Sequence, residues 1–278
     1  MSLLETFLFP PKYINNKKLI TTFSGKTILI TGASYGIGEN LVYQLSDINT
    51  CLILVARTEE KLVSIQEKLK NKACKIIIFP TDLSDNNQVN LLLSHLRAIP
   101  QGIDLFVNNA GKSICRPIMK SLDRYHDFSR TININYLGPV QLTLGLIPIL
   151  SKNKGQIINI SAINVLLFPA PHWAAYQASK VAFDNWFRSA SSELRNNNIT
   201  TSSIYLPLVD TRMVKPTKRY DKMPKMSPKQ VSTIICQSVI RKDRRFVPWW
   251  LFMGQISSVI FRYPLELFFS VYSNKIKK

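Results

Sequence analysis

Residues 26–45 constrain the fold more than any other stretch. Lys26-Thr-Ile-Leu-Ile-Thr31 is a short, β-branched apolar run, followed by Gly32-Ala-Ser-Tyr-Gly36-Ile-Gly38 and then by Leu41, Val42 and Leu45 at helical spacing. A strand that turns on glycines into a helix presents the free N–H groups of the helix N-terminus at the turn. Without Cβ atoms, Gly32, Gly36 and Gly38 let backbone approach a pyrophosphate, with Ser34, Tyr35 and Ile37 in the same turn. Such a turn can serve packing alone, but this order of strand, turn and helix is what a dinucleotide site demands.

The alternation continues. A second apolar run, Cys51-Leu-Ile-Leu-Val-Ala-Arg57, ends without the Asp or Glu that would hold a ribose 2′-hydroxyl. Ala56-Arg57 leaves room and a guanidinium for a 2′-phosphate, so the expected cofactor is NADP(H). A helix over about 58–70 leads to Lys75-Ile-Ile-Ile-Phe79 and then Thr81-Asp82-Leu83. Asp82, beside Leu83, could accept from an adenine amino group or cap the helix that begins near Asp85. The fourth run, Ile103–Val107, ends in Asn108-Asn109-Ala110-Gly111, a small polar turn that can bring backbone to the cofactor and tie neighbouring strands. This pattern predicts an α/β chain with a Rossmann-type, doubly wound parallel sheet in one domain over 25–245. Residues 1–24 precede it, and an apolar, basic-flanked helical extension, 246–278, follows.

From Arg124 to Leu150 the pattern is helical, interrupted by Gly138-Pro139 and Pro148, with Asn135 at an unfavourable interior position. An Asn that frees a backbone carbonyl to hold a water would account for it. A fifth strand, Gln156–Ile160, ends in Ser161-Ala162-Ile163-Asn164. Beyond it, His172-Trp-Ala-Ala-Tyr-Gln-Ala-Ser-Lys180 places Tyr176 and Lys180 on one helix face. An ammonium beside a phenol favours the phenolate, which makes the hydroxyl a usable proton donor near neutral pH.

Composition narrows the remaining choices. Among 278 residues, 46% are hydrophobic, ample for a sizeable core. Cys51, Cys74, Cys115 and Cys236 are scattered, with no CxxC, and His95, His126 and His172 form no cluster; no metal site is expected, and the thiols suit a cytoplasmic setting. The formal net charge of +19 suits anionic lipid or phosphorylated small molecules. Its spread along the chain, without aromatic interleaving, speaks against nucleic acid. The apolar N-terminus lacks the basic region and cleavage site of a secretory signal, and no segment reaches the ~20 uncharged apolar residues of a membrane span.

Thr31-Gly-x-x-x-Gly-x-Gly38, Asn108-Asn-Ala-Gly111, Asn135 and Tyr176-x-x-x-Lys180 together resemble the short-chain dehydrogenase/reductase family, over about residues 24–215. The resemblance implies strand order 3-2-1-4-5-6-7, hydride transfer to or from a carbonyl, and a homo-oligomer. It implies Tyr176 as acid/base, Lys180 as the group that lowers its pKa and holds the nicotinamide ribose, and Asn135 as the holder of a relay water. Val209 and Thr211 occupy positions that contact the carboxamide in relatives. One departure stands out: the family's catalytic serine, thirteen residues before the tyrosine, is replaced by Ala162, fourteen before Tyr176. Ser161 would substitute if the extra residue shifts the strand end; otherwise alternation turns it away. Losing an oxyanion donor costs ~2.7–4 kcal/mol of barrier, so a catalytically impaired NADP-binding protein is an alternative expectation.

Pro207-Leu-Val-Asp-Thr-Arg-Met-Val-Lys-Pro-Thr-Lys-Arg-Tyr220 is similar to the branch that reduces long-chain fatty acyl-CoA to aldehyde. This implies a lipid-like substrate, an acyl-CoA or else a ketone, alcohol or 3-oxo lipid. The cations of that loop, Arg212, Lys215, Lys218, Arg219, Lys222 and Lys225, suit a lid over a phosphorylated carrier or a solvated basic loop. In the tail, Trp249-Trp250 and the apolar stretches to Tyr272, between Arg241–Arg245 and Lys275–Lys278, suit peripheral contact with a membrane. A dimer contact or a wall of the substrate pocket is the competing reading.

Overall fold

The computed structural model describes residues 3–217 and 220–275; Lys218, Arg219 and the closing Ile276-Lys-Lys278 lie outside the described residues. Seven strands form one parallel sheet: β1 (Thr27–Thr31), β2 (Cys51–Ala56), β3 (Lys75–Pro80), β4 (Leu105–Asn108), β5 (Gln156–Ala162), β6 (Thr200–Leu206) and β7 (Arg245–Phe246). Their order is β3-β2-β1-β4-β5-β6-β7, as the family resemblance implies. β1 and β2 are buried along their whole lengths, because parallel strands between two helical layers meet no water on either face.

One layer comprises α3 (Gly36–Leu45), α4 (Glu59–Lys68) and α9 (Pro228–Arg241), whose Leu41, Leu62 and Ile235 pack on Ile28, Ile30 and Leu52. The other comprises α5 (Asn86–Arg97), α6 (Tyr125–Ile132), α7 (Gly138–Lys152) and α8 (Ala174–Asn196), with Leu92, Leu146 and Phe187 around Leu29 and Phe106. The sheet reverses direction of growth between β1 and β4, which opens a crevice at the carboxyl ends of these strands.

Two features depart from the pattern read along the chain. Gly138-Pro139 does not interrupt the helix: Asn133–Leu137 forms a π-helical turn between α6 and α7, Pro139 falls in the first turn of α7, and Pro148 is carried inside it. The π turn re-aims the following residues so that the missing Pro139 N–H falls where the ladder is already open. By length and composition the continuous helix Tyr125–Lys152 could cross a membrane, although its polar residues keep it short of the uncharged apolar run expected of a span. Its Thr131, Asn135, Leu142, Leu146 and Leu150 are buried in the protein, which makes it a core helix.

The chain ends also differ from simple appendages. Phe9, Leu19 and Phe23, from and around α1 (Leu3–Leu8) and α2 (Asn16–Phe23), belong to the first core cluster. After β7, Trp250 packs on that cluster and Leu251 is fully buried, whereas α10 (Leu251–Ile260) and α11 (Arg262–Lys275) expose most of their large apolar side chains. Of the tryptophan pair, Trp249 is exposed and Trp250 partly buried.

Candidate active site

The crevice is a cleft of about 910 Å³ that runs from the glycine turn past β2 and β4 to α8. Gly32, Ser34, Tyr35, Gly36 and Ile37 line it, as do Arg57, Asp82, Leu83, Asn109, Ala110 and Gly111. Gly38 does not. A Cβ there would run into the carbonyl oxygen of Gly32, so this glycine seats α3 against the turn. Gly32 and Gly36 have φ of 66° and 61°, a region open to glycine at little cost. The side chain of Tyr35, the residue before α3, makes no capping bond, so the first N–H groups of the helix are not claimed by a cap. Strand ends are laced together beside them: Thr31 Oγ1 accepts from the Asn109 and Ala110 amides at 3.0 and 3.1 Å, and Asn109 Nδ2 donates to the Thr31 carbonyl at 2.9 Å.

At the β2 end, Arg57 lies 3.8 Å from Asp82, both lining the cleft. Asp82 does not cap α5. That role falls to Asp85, which accepts from the Asn87 and Gln88 amides, while Asp82 accepts from the amide and hydroxyl of Ser84 at 2.9 and 2.6 Å. Two further cations, not singled out in the sequence, line the same cleft: Lys112 and Arg130. Burial and the neighbouring Arg130 and Arg57 charges hold the Lys112 ammonium below its ordinary pKa. Three facing cations with few acids between them suit a phosphate-bearing ligand.

Around α8, Tyr176 and Lys180 both line the cleft. Lys180 Nζ donates to the Ile160 carbonyl at 3.2 Å. The expected lowering of the Tyr176 pKa by Lys180 does not hold in this structure: burial, with Tyr220 nearby, pushes the phenol up to about 12. Burial lowers Lys180 to about 8 against the pull of Asp184. Desolvation is the largest cause for each group, although both border the cleft. Asn135 is buried and does not face the cleft; its side chain is fully engaged, accepting from the Lys112 amide at 2.9 Å and donating to the Lys112 carbonyl at 2.8 Å and Ser179 Oγ at 2.9 Å. It thereby clamps the segment after Gly111 onto α8, in the middle of the π turn.

β5 runs without a register break to its end, Ser161 opposite Tyr205 and Ala162 opposite Leu206. A 3-10 turn, Ile163–Val165, follows the strand directly. Ser161 and Ala162 both border the cleft but on opposite pleats. Asn164, quoted in the sequence but given no role there, also lines the cleft, and its Oδ1 is buried with no partner among the described residues. Its carbonyl is fixed by Gln177 Nε2 at 2.6 Å.

The described residues after β6, 207–217 and 220–223, border the cleft as a lid. Val209 bridges to Met226 and lines the cleft with Thr211; Leu208, Met213, Val214, Tyr220 and Met223 add an apolar ceiling. Trp173 stacks on Tyr220 at 5.9 Å and meets Tyr176 edge-on at 5.7 Å, so an aromatic wall stands beside the phenol. Spacing alone gave no role to Trp173; its position three residues before Tyr176 was the available signal. The lid's cations do not all turn inward. Arg212 lines the cleft, while Lys215 and Lys222 are exposed away from it.

Comparison with known proteins agrees with this geometry. A family model described as short chain dehydrogenase matches residues 26–222. A fatty acyl-CoA reductase of Acinetobacter baylyi is 39% identical over 251 residues, covering 88% of this chain and 84% of that protein. A fatty acyl-CoA reductase of Mycobacterium tuberculosis is 34% identical over 226 residues, covering 81% and 77%. Among solved structures, a short-chain dehydrogenase of Burkholderia cenocepacia in complex with NADP superposes with a TM-score of 0.74 at 20% identity, covering 88% of this chain and 98% of that one. One from Burkholderia phymatum in complex with NAD gives 0.77 at 21%, covering 88% and 96%.

Proposed function

The chain belongs to the short-chain dehydrogenase family, and from that premise we propose that it is an NADPH-dependent reductase of long, apolar carbonyl compounds, with fatty acyl-CoA, reduced to the aldehyde, as the substrate. The observation that carries the proposal is that apolar Leu208, Met213, Val214 and Met223 line the same cleft as Tyr176. Two relatives, 39% and 34% identical to this chain over the matched residues, are named fatty acyl-CoA reductases. The residues fit a dinucleotide: the glycine cradle would be filled by added Cβ atoms, a Cβ on Gly36 coming 3.0 Å from Thr211 Cγ2 and one on Gly32 2.9 Å from Asn109 Nδ2. Arg57, with Lys112 and Arg130, would hold the 2′-phosphate, and Asp82 the adenine end. Val209 and Thr211 would face the carboxamide, and Lys180 the nicotinamide ribose.

Bound NADPH supplies the hydride. Tyr176 holds the carbonyl oxygen and gives it the phenolic proton. A phenol kept protonated by burial is a donor rather than a base, which suits reduction. Lys180 stays largely charged at neutral pH and stabilises the phenolate that proton loss leaves behind. Asn135 positions rather than reacts, holding the segment after Gly111 and, through its π turn, a route for a relay water. With a thioester, the tetrahedral adduct then expels CoA as the thiol, and the exposed cations on the outer face of the lid suit the phosphates of that carrier. The apolar C-terminal extension suits an enzyme that works against a lipid surface.

Ala162 favours a second reading, a cofactor-binding protein of low turnover, because no serine occupies the usual position. NADPH oxidation by the purified protein with a long-chain acyl-CoA, with Tyr176→Phe as control, tests both. Turnover that disappears in the variant supports the reductase. Intact NADPH binding without turnover on acyl-CoA, ketone or 3-oxo lipid supports the second reading.

A further inference from the structure

We propose that α1, α10 and α11 together form one docking face for a bilayer of anionic phospholipid, so that both ends of the chain, and not the C-terminal segment alone, seat the protein on the membrane.

Two observations join the ends. Phe7 meets Trp249 edge-to-face at 5.2 Å, and Trp249 Nε1 donates to the Phe7 carbonyl at 3.3 Å. The face they share is apolar and open: Leu3 is 94% exposed and Phe7 64%, and along α10 and α11 the values are 64% for Phe252, 78% for Val259 and 60% for Phe268. Large apolar side chains left exposed on both sides of such a contact mark an interaction site.

Helix length and charge identify the occupant. With 10 and 14 residues, α10 and α11 are about 15 and 21 Å long, short of the ~30 Å hydrocarbon core, and they break at Phe261. They therefore lie along an interface rather than cross it. Cations flank the face along the chain: exposed Arg241, Lys242, Arg244 and Arg245 precede α10, and exposed Arg262 opens α11. Lys12, Lys17 and Lys18 follow α1. A second copy of this chain would bring these like charges together on a chain whose formal net charge is +19. An anionic headgroup layer neutralises them.

The face also adjoins the cleft. Ser258 Oγ accepts from the Phe168 amide at 3.1 Å, and Phe269 stacks on Phe168 at 5.7 Å. The segment that carries Phe168 lines the cleft through Ile163, Asn164 and Ala170. Delivery of an apolar substrate from the bilayer rests on the reductase reading; the docking does not.

The test is flotation of the full chain with vesicles of phosphatidylcholine alone and of phosphatidylcholine with 30% phosphatidylglycerol, without substrate or turnover. Two triple variants, L3S/L4S/F7S and F252S/V259S/F261S, are compared at equal thermal stability. Removing three large apolar side chains lowers partitioning by about a hundredfold or more. Binding to the anionic vesicles that falls this far in each variant, and that weakens with added salt, is the expected result. Quenching of Trp249 fluorescence by lipid brominated near the headgroup, with Trp249→Phe as blank, reads the same contact in the unaltered surface. No binding, or binding that only the C-terminal variant reduces, overturns the proposal. So does a dimer in sedimentation velocity that either variant dissociates, which would assign the face to a second copy.

Discussion

The guanidinium of Arg212, on the lid, lies 3.7 Å from the ring centroid of Tyr35, in the glycine turn. A cation over an aromatic face contributes about 0.5–2 kcal/mol, more where water is excluded. This contact therefore latches the substrate lid to the turn that would hold the pyrophosphate. Arg212→Ala is expected to weaken NADPH binding by roughly twofold to thirtyfold, read by titration of NADPH fluorescence, with no change in the thermal midpoint. Unchanged affinity would remove the latch from the account.

Arg57 is the guanidinium at the end of β2 and is paired only loosely with Asp82, at 3.8 Å. A charge-assisted bond to the 2′-phosphate is worth about 1.5–3 kcal/mol. Arg57→Ala should thus lower NADPH affinity by about tenfold or more and leave NADH affinity unchanged. Equal losses for the two cofactors would show a structural role instead.

Ala162 ends β5 in unbroken register, on the pleat where an added hydroxyl would not disturb the pairing with Leu206. Ala162→Ser is expected to raise kcat by about a hundredfold to a thousandfold, the value of one oxyanion donor. Stopped kinetics at saturating NADPH would measure it. If turnover does not rise, another cleft group, Ser161 or Asn164, already supplies that donor.

Lys180 carries a pH signature. Its pKa falls from 10.5 in the open chain to about 8 in the fold. Between these values the unfolded state binds more protons, so stability rises with pH across roughly 8 to 10.5. The gain is on the order of 2–3 kcal/mol. Denaturant midpoints at pH 7.5 and 10, compared with Lys180→Met, isolate it, since the variant lacks the rise. Tyr176 works in the opposite direction at higher pH, where a phenol held protonated up to about 12 loses stability as its unfolded counterpart ionises.

Gly138 lies where α7 meets the loop after β3, and a Cβ there would strike the Leu83 carbonyl oxygen. Gly138→Ala should destabilise the protein by about 1–3 kcal/mol, seen as a lower thermal midpoint. Because Leu83 borders the cleft, NADPH affinity should fall with it.

Much of the fold was legible because it is written in local patterns. The β-branched runs at 27–31, 51–56 and 156–160 are strands because a doubly covered parallel sheet accepts nothing else, and Gly32 and Gly36 are required where φ turns positive. Tyr176 and Lys180 were found by a four-residue spacing that a helix turns into a shared face. Asn135 was found as an oddity of propensity, but its partners Lys112 and Ser179 lie 23 and 44 residues away, beyond any local signal.

The sequence by itself therefore determined the parallel α/β class, the glycine cradle and the shared helix face of Tyr176 and Lys180, since each depends on neighbours along the chain, whereas the strand order came only with the family resemblance. Only the tertiary structure decided the electrostatics around that pair, because burial, with Tyr220 nearby, raises the Tyr176 phenol above its ordinary pKa. It also decided that apolar side chains of the lid border the cleft, that β5 pairs with β6 in register as far as Ala162, and that Phe7 and Trp249 join the two chain ends. Desolvation and long-range contact are properties of what surrounds a residue in space, and no spacing along the chain records them.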